Sequence, residues 1–265
     1  MSKEACELRK TLLRMSNLGR DGNLQSGFSS LEILWVLYDQ LLRVSPESPE
    51  NPTRDRFVLS KGQSTAALLA VLAKKGFLSE AELESFCRYD SRIAMQADRT
   101  KLPGVEISAG SLGHGLPIAV GMAWAAKIQN SPAKVYVLAG DGEMNEGTMW
   151  EAALFAASEK LNGLTLIVDD NDSIGRMIDM GGLDEKLRAF GFDTAAVDGH
   201  DETALAQAIG MSHEKPLAVL AKTVRGYGCR TLMEDRSWFH RWPRDNELPG
   251  LLEEVDNFFS GRKIP

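Results

Sequence analysis

The stretch VYVLAGDGEMNEGTMWEAA, residues 135–153, decides how this chain is read. Apolar residues of buried-strand type lead into Gly140-Asp141-Gly142, and acidic and amide side chains then run straight into a helix-forming segment. A glycine-flanked carboxylate at the mouth of a helix has three uses: a tight turn, a phosphate cradle, or half of a metal site. Its neighbours decide among them.

Outward from that stretch, strands and helices alternate. Strands are expected at 56–60, 134–139, 164–169, 192–197 and 217–221, and helices at 112–129, 149–160, 184–190, 202–209 and 251–259. Continuous apolar strands separated by helices indicate a parallel sheet covered on both faces. The expected fold is a single doubly wound α/β domain over residues 1–265 with a mostly parallel sheet. Nearer the start, an amphipathic helix is expected over 4–16 and SNLGRDGNLQSGF reads as a loop. Ser29 with Glu32 forms a capping box opening the helix SLEILWVLYDQLL, and Ser79 with Glu82 forms a second, opening a helix around ELESFCRY. The aromatic tail, RGYGCRTLMEDRSWFHRWPRDNELPG, reads as irregular.

Composition narrows the function classes. Of 265 residues, 43% are hydrophobic and 25% charged, as in a soluble globular protein. The net charge of −7 lacks the basic excess of a duplex-binding surface, so nucleic acid is not an expected partner. No apolar run reaches the ~18–20 residues that span a bilayer, and MSKEACELRKTLLRM mixes charges through its apolar positions, unlike a signal peptide. Neither a membrane nor secretion is expected. Cys6, Cys87 and Cys229 are solitary, without metal or redox spacing, and read as reduced thiols of a cytoplasmic protein.

Two consecutive strands end in groups that suit a hard cation. One gives Gly140-Asp141-Gly142, the other Asp169-Asp170-Asn171-Asp172. Ligands of open parallel sheets sit at the carboxyl ends of the strands, so Asp141 and Asn171 can meet there. Mg²⁺ takes about six oxygens at ~2.0–2.1 Å, only a few from protein and the rest from phosphate and water. A carboxylate, an amide oxygen and the carbonyl of Ser173 leave room for a diphosphate. Gly142 allows the backbone close to a phosphate oxygen, and the following helix offers free N–H groups. Without the second strand end, Gly-Asp-Gly alone would be a turn.

These motifs resemble the thiamine diphosphate fingerprint, and the wider chain is similar to the transketolase family. RFVLSKG, PGVEISAGSLGHGLPIAVG, GDGEMNEGTMWEAA, IVDDND, VDGHD and KTVRGYG carry the likeness over almost the whole length. It covers what corresponds to the N-terminal, diphosphate-binding third of a full transketolase. The resemblance implies a thiamine diphosphate-binding fold in which Asp141, Asn171 and the Ser173 carbonyl hold Mg²⁺. It implies that Gly140, Gly142 and Glu143 meet the diphosphate, while Gln63, Gly110, Ser111 and Leu112 lie along the cofactor. Glu146 matches an acidic residue at the family's subunit interface. Its alternative is an exposed glutamate at a helix start.

The departures concern histidines. The family's Gly-His-x-Gly reads Gly22-Asn23-Leu24-Gln25 here, and its Ser-Lys-Gly-His reads Ser60-Lys61-Gly62-Gln63. Gln96 falls where Gly-His-Pro is absent. Trp238-Phe239-His240 stands for a Trp-His pair, with His240 displaced by one position, and His114 stands where the family often has Gln. Amides hydrogen-bond but do not titrate near neutral pH. A positioned histidine contributes ~10²–10⁴-fold, so proton handling has moved to His114 or His240, or the donor is not a sugar phosphate. Asn23, Lys61 and Gln96 are the expected substrate contacts.

The resemblance also implies a missing half, because the family's activating glutamate lies on a pyrimidine-binding domain. The expected partner is a separate pyrimidine-domain subunit, in a heterotetramer with two copies of each chain. Trp150, Phe155, Trp238, Phe239 and Trp242 are candidates for that interface or for the core. The leading expectation is transfer of a two-carbon ketol unit with a non-standard substrate. Its alternatives are a decarboxylating acyl transfer from a 2-oxo acid, a non-catalytic binding subunit, and a magnesium phosphohydrolase using Asp141.

Overall fold

The strands are β1 (Arg56–Leu59), β2 (Val135–Gly140), β3 (Leu164–Asp170), β4 (Asp193–Asp198) and β5 (Leu217–Lys222). They form one sheet in the order β1-β2-β3-β5-β4, with every pairing parallel. The computed structural model describes residues 3–108, 110–173 and 180–261; Ala109, within PGVEISAGSLGHGLPIAVG, lies outside them. The α-helices are α1 (Lys3–Gly19), α2 (Leu24–Val36), α3 (Thr65–Lys74), α4 (Gly115–Ile128), α5 (Gly147–Ser158), α6 (Leu183–Ala189), α7 (Glu202–Gly210), α8 (Arg230–Glu234) and α9 (Leu248–Ser260), and short 3-10 and π turns join them.

Strand order explains which face each helix covers. The steps β2 to β3 and β3 to β4 move the same way across the sheet, and right-handed crossovers place their helices on one side. Accordingly α5 and α6 share a core with α4 and with Val137, Ala139, Leu166 and Val168. The step β4 to β5 runs backwards, so α7 lands on the opposite face. There its Leu205 and Ile209 join α1, α2, α3 and the inward residues Leu138, Ile167 and Val219. Successive strand residues alternate between the two cores, which is the doubly wound arrangement expected. The edge strand β4 is the exception, half exposed along its length.

Five local readings are corrected, the first being the tail read as irregular, which holds α8 and the first residues of α9. The segment read as a loop, SNLGRDGNLQSGF, is helical from Leu24 onward, and α2 runs to Val36 before a π turn at Leu37–Leu41. Ser29 and Glu32 therefore sit inside the helix, not at its start, and form no capping box. Both are buried: Ser29 Oγ donates to Asp169 Oδ2 (2.7 Å), and Glu32 pairs with Arg9 (2.7 Å). The helix begins instead at Asn23, which makes no side-chain cap, so capping chemistry gave no local signal. The second capping box is present between Ser79 and Glu82, but it opens a 3-10 turn, Glu80–Ser85, instead of an α-helix. Finally, α4 starts at Gly115, three residues later than expected, because Ser111 to His114 form a turn. No helix of the described residues is long and apolar enough to cross a membrane.

Candidate functional site

The carboxyl ends of β1, β2, β3 and β5 open into one cleft of about 250 Å³. The register sets this up: Gly140 lies beside Asp169, and Asp170 beside Lys222, so the polar residues after each strand arrive together. Asp141, Gly142, Glu143, Asn171 and Ser173 line one end of the cleft. Asn23, Gln63, Phe239, His240 and Arg225 line the rest.

The Asp141 carboxylate is held on one side by its own turn and on the other by the end of β3. Its Oδ1 accepts from the Gly142 N–H (2.8 Å) and the Ser173 hydroxyl (2.6 Å); its Oδ2 accepts from the Ser173 N–H (2.8 Å). Asn171 is oriented from beneath. Its Nδ2 donates to Ser29 Oγ (3.2 Å) and reaches Asp169 Oδ2 (3.4 Å). A carboxylate only accepts, so Asp169 forces the amide nitrogen inward and turns the carbonyl the other way. That oxygen, Asn171 Oδ1, is buried and has no partner. An orphaned buried acceptor costs about 1–3 kcal/mol. An oxygen-seeking cation would satisfy it, with Asp141 adjacent and the Ser173 backbone drawn into the same turn. The residues present fit such an ion.

Asp169 is the hub under this floor. It is fully buried and takes hydrogen bonds from Ser29, from Thr223 Oγ1 and from the Lys61 ammonium. Lys61 also donates to the Ser26 carbonyl and to Ser29 Oγ, both at 3.2 Å. The structure therefore ties the Lys61 charge to Asp169 below the cleft, while its stem runs along Gly140.

Glu143 has a role that spacing did not announce. Its buried carboxylate accepts from the Ser60 hydroxyl and from the Gly113 N–H (2.8 Å), joining the end of β1 to the turn before α4. Burial pushes its pKa up, against the opposing hydrogen bonds from Ser60 and Gly113. Leu112 of that turn lines the cleft, whereas Ser111 and His114 are exposed outside the lining. His114 precedes α4 and places Nδ1 3.0 Å from the Leu112 carbonyl. Glu146 is likewise exposed, at the start of α5 and outside the lining. Gln96 is exposed and packs against Gly62 and Gly110, beside the cleft but not in its wall.

At the other end, the tail folds over the start of α2. Gly22 lies so close to His240 that a Cβ there would stand 2.2 Å from the His240 carbonyl carbon. Asn23 gives its Nδ2 to Asp21 Oδ1 (2.7 Å), and burial raises the pKa of that aspartate. Phe239 and His240 both face the cleft, their rings 4.2 Å apart. Arg225 and Gln25 complete the wall and were not among the expected site residues. Arg225 Nη2 donates to Gln25 Oε1 (3.1 Å), and its guanidinium lies 5.0 Å from the Phe239 ring. Burial lowers the Arg225 pKa, while attraction to Asp141 and Asp169 opposes it. Arg225 stands three residues past β5, at the ligand edge of the sheet, and its sequence context alone does not mark it. Of the aromatic candidates, Trp238 is core and Trp150 is half-buried, donating to the Met144 carbonyl (2.7 Å); Phe155, Phe239 and Trp242 are exposed. The three cysteines are free thiols, and burial raises each pKa, that of Cys87 to about 11.

Known proteins resemble this chain over most of its length. The transketolase thiamine diphosphate-binding domain family matches residues 19–240. An apulose-4-phosphate transketolase subunit of Actinobacillus succinogenes is 37% identical over 254 residues, covering 93% of this chain and 92% of its own. A Rhodococcoides fascians protein named ferredoxin fas2 is 46% identical over 216 residues, covering 80% of this chain and 69% of its own. The transketolase structure from Campylobacter jejuni superposes with a TM-score of 0.81 at 27% identity, over 99% of this chain and 44% of that one.

Proposed function

The chain belongs to the transketolase family, as a thiamine diphosphate-binding domain, and from that premise we propose that it is the diphosphate-holding subunit of a two-component transketolase-type transferase. One observation carries the reading: the buried, partnerless Asn171 Oδ1 beside Asp141 in the wall of the cleft. Magnesium is the cation this all-oxygen set suits, with Asp141, Asn171 and the Ser173 carbonyl as its protein ligands. Thiamine diphosphate, when bound, supplies the carbanion chemistry that breaks a carbon–carbon bond beside a carbonyl.

This chain's own residues then do four things. Asp141 and Asn171 hold the ion that clamps the diphosphate. The Gly142 turn brings backbone to the phosphate oxygens, and Arg225 adds positive charge from the end of β5. Glu143 keeps the Leu112–Gly113 turn in register with the cleft. Asn23, Gln63 and His240 line the space left for a substrate, and His240 is the titratable group among them.

The Actinobacillus relative, of near-equal length and itself named as one subunit of a transketolase, supports a partner carrying the pyrimidine-binding half. Two copies of each chain are the proposed assembly, in the cytoplasm. The apolar outer face of α4 and α5, with Ile118, Trp124, Ile128, Leu154 and Phe155 exposed, supports a docking role for that side. Transfer of a two-carbon ketol unit is the proposed reaction, with a donor other than the common sugar phosphates. The amides at Asn23 and Gln63 favour one alternative, a decarboxylating transfer from a 2-oxo acid.

The test is calorimetric titration of magnesium with thiamine diphosphate, into this chain alone and into its complex with the pyrimidine-domain subunit. Tight binding by the complex and weak binding by the chain are expected. Absence of binding in both sinks the reading. Turnover of a ketose without CO₂, against CO₂ release from pyruvate, separates the two reactions.

A further inference from the structure

A second buried polar network lies outside the cleft wall and ends on the loop that carries Arg225. We propose that His200 is a positioning residue for the cleft: by accepting the Val224 N–H it sets the loop that aims Arg225 at the bound anion. The anion-binding part of this statement rests on the proposed cofactor reading; the loop-setting part does not.

The hydrogen bonds define the imidazole completely. The Val224 N–H donates to His200 Nε2 at 2.9 Å, so that nitrogen carries no proton. The remaining ring proton sits on Nδ1, 3.1 Å from Glu32 Oε2. A carboxylate on one nitrogen and a backbone donor on the other fix both the tautomer and the plane of the ring. Glu32 is itself anchored by Arg9, with which it forms a buried ion pair at 2.7 Å. Arg9 donates further to the Phe28 carbonyl (3.2 Å) and the Tyr227 carbonyl (2.6 Å).

Both ends of the short segment around Arg225 are thereby held. The N–H of Val224 is taken by His200, and the carbonyl of Tyr227 by Arg9. The His200 ring also lies flat on the Tyr227 ring, with centroids 3.5 Å apart and planes within 10°. Between them, the Gly226 N–H donates to the Gln25 carbonyl (3.1 Å). Gly228 has φ 92°, and a Cβ there would stand 2.8 Å from Arg9 Nε, so the loop follows the guanidinium closely. Arg225 is left with one outlet, towards Gln25, Phe239 and the cleft. Of Lys61 and Arg225, the lysine and arginine among the described lining residues, Lys61 is paired with the Asp169 carboxylate, whereas Arg225 is held by a neutral amide, Gln25. A buried ion pair stabilises little compared with apolar packing of the same volume. Its product here is a fixed loop.

The first arm of the experiment uses the full chain in three forms: native, His200→Phe and His200→Gln. Phe keeps the ring on Tyr227 but removes both hydrogen bonds, and Gln restores an acceptor near Nε2. Hydrogen exchange read by mass spectrometry should show the 223–229 peptide of His200→Phe opening ~10-fold faster, the loss of one hydrogen bond of about 1.4 kcal/mol. Peptides from β5 and α9 should be unchanged, and His200→Gln should recover most of the protection. Unchanged exchange at 223–229, or equal loosening of β5 and α9, overturns the proposal. Magnesium pyrophosphate titration adds the second arm: His200→Phe should weaken binding several-fold in the native background and not further in Arg225→Ala. Additive losses overturn the route through Arg225. Failure of the native chain to bind pyrophosphate counts against the cofactor reading instead, and the exchange result still decides the loop.

Discussion

The two ends of the cleft are built on different plans. The Asp141 end stands on strand termini that are neighbours in one sheet, and its groups are fixed by a buried hub at Asp169. The other end is assembled from the start of α2 and from the tail around Phe239 and His240, some 200 residues later in the chain, in contact through Gly22. The first end carries the residue types that the family resemblance implies for a cation, whereas the second has amides, Asn23 and Gln63, where that resemblance implies histidines. The proposed ion site follows from sheet geometry, through strand ends that are neighbours in register. The proposed substrate wall rests on loop and tail, outside the sheet.

The strongest way to break that contrast is at the hub. Asp169→Asn would leave the Lys61 ammonium buried and unpaired, a change that typically costs ~3–5 kcal/mol. At ~2–4 °C per kcal/mol for a domain of this size, the melting temperature should fall by about ten degrees. A calorimetric scan showing no shift would mean that Lys61 does not depend on Asp169. Next in size, if Asp141 is the direct ligand proposed, Asp141→Ala should lower magnesium thiamine diphosphate affinity more than the ~10–100-fold typical of an outer partner. Circular dichroism should show the fold retained, and unchanged affinity by titration would remove the ion from Asp141.

The contrast is sharpened by restoring histidines at the variable end. The double variant Asn23→His and Gln63→His should leave cofactor affinity within ~3-fold, while sugar-phosphate turnover in the complete enzyme rises at least ~10-fold. Steady-state kinetics would check it, and a collapse of cofactor affinity would show that the two ends are not separable. The smallest effect concerns Glu143. Burial raises its folded-state pKa above the ordinary value of ~4.3, so the folded chain binds the proton more tightly than the unfolded chain does. Stability then falls as pH rises from the ordinary glutamate range through the raised value. Glu143→Gln keeps an oxygen to accept from Ser60 and Gly113. Stability at low pH should therefore change by less than ~1 kcal/mol, while this part of the slope disappears in urea melts taken at several pH values.

The sequence made the sheet legible because its strands are apolar runs closed by polar residues, and such runs declare themselves locally. It also brought Asp141 and Asn171 to one edge of the sheet, since only one helix separates their strands. It misplaced the start of α2 because Ser29 and Glu32 match a capping pattern while serving long-range partners, Asp169 and Arg9. Arg225 and Gln25 escaped notice for the same reason. Nothing local distinguishes an arginine in an irregular tail until its loop is seen beside α2.

The strand order carries a consequence for how the molecule comes into being. Because β5 pairs with both β3 and β4, an interior place in the sheet is filled by the last of the described strands to leave the ribosome. Until residues 217–222 emerge, β3 and β4 each wait with an open edge, the kind of exposed pairing surface that invites misassembly in nascent chains. That same insertion delivers Thr223 to Asp169, so closure of the sheet and completion of the hydrogen bonds around Asp169 are a single late event in synthesis.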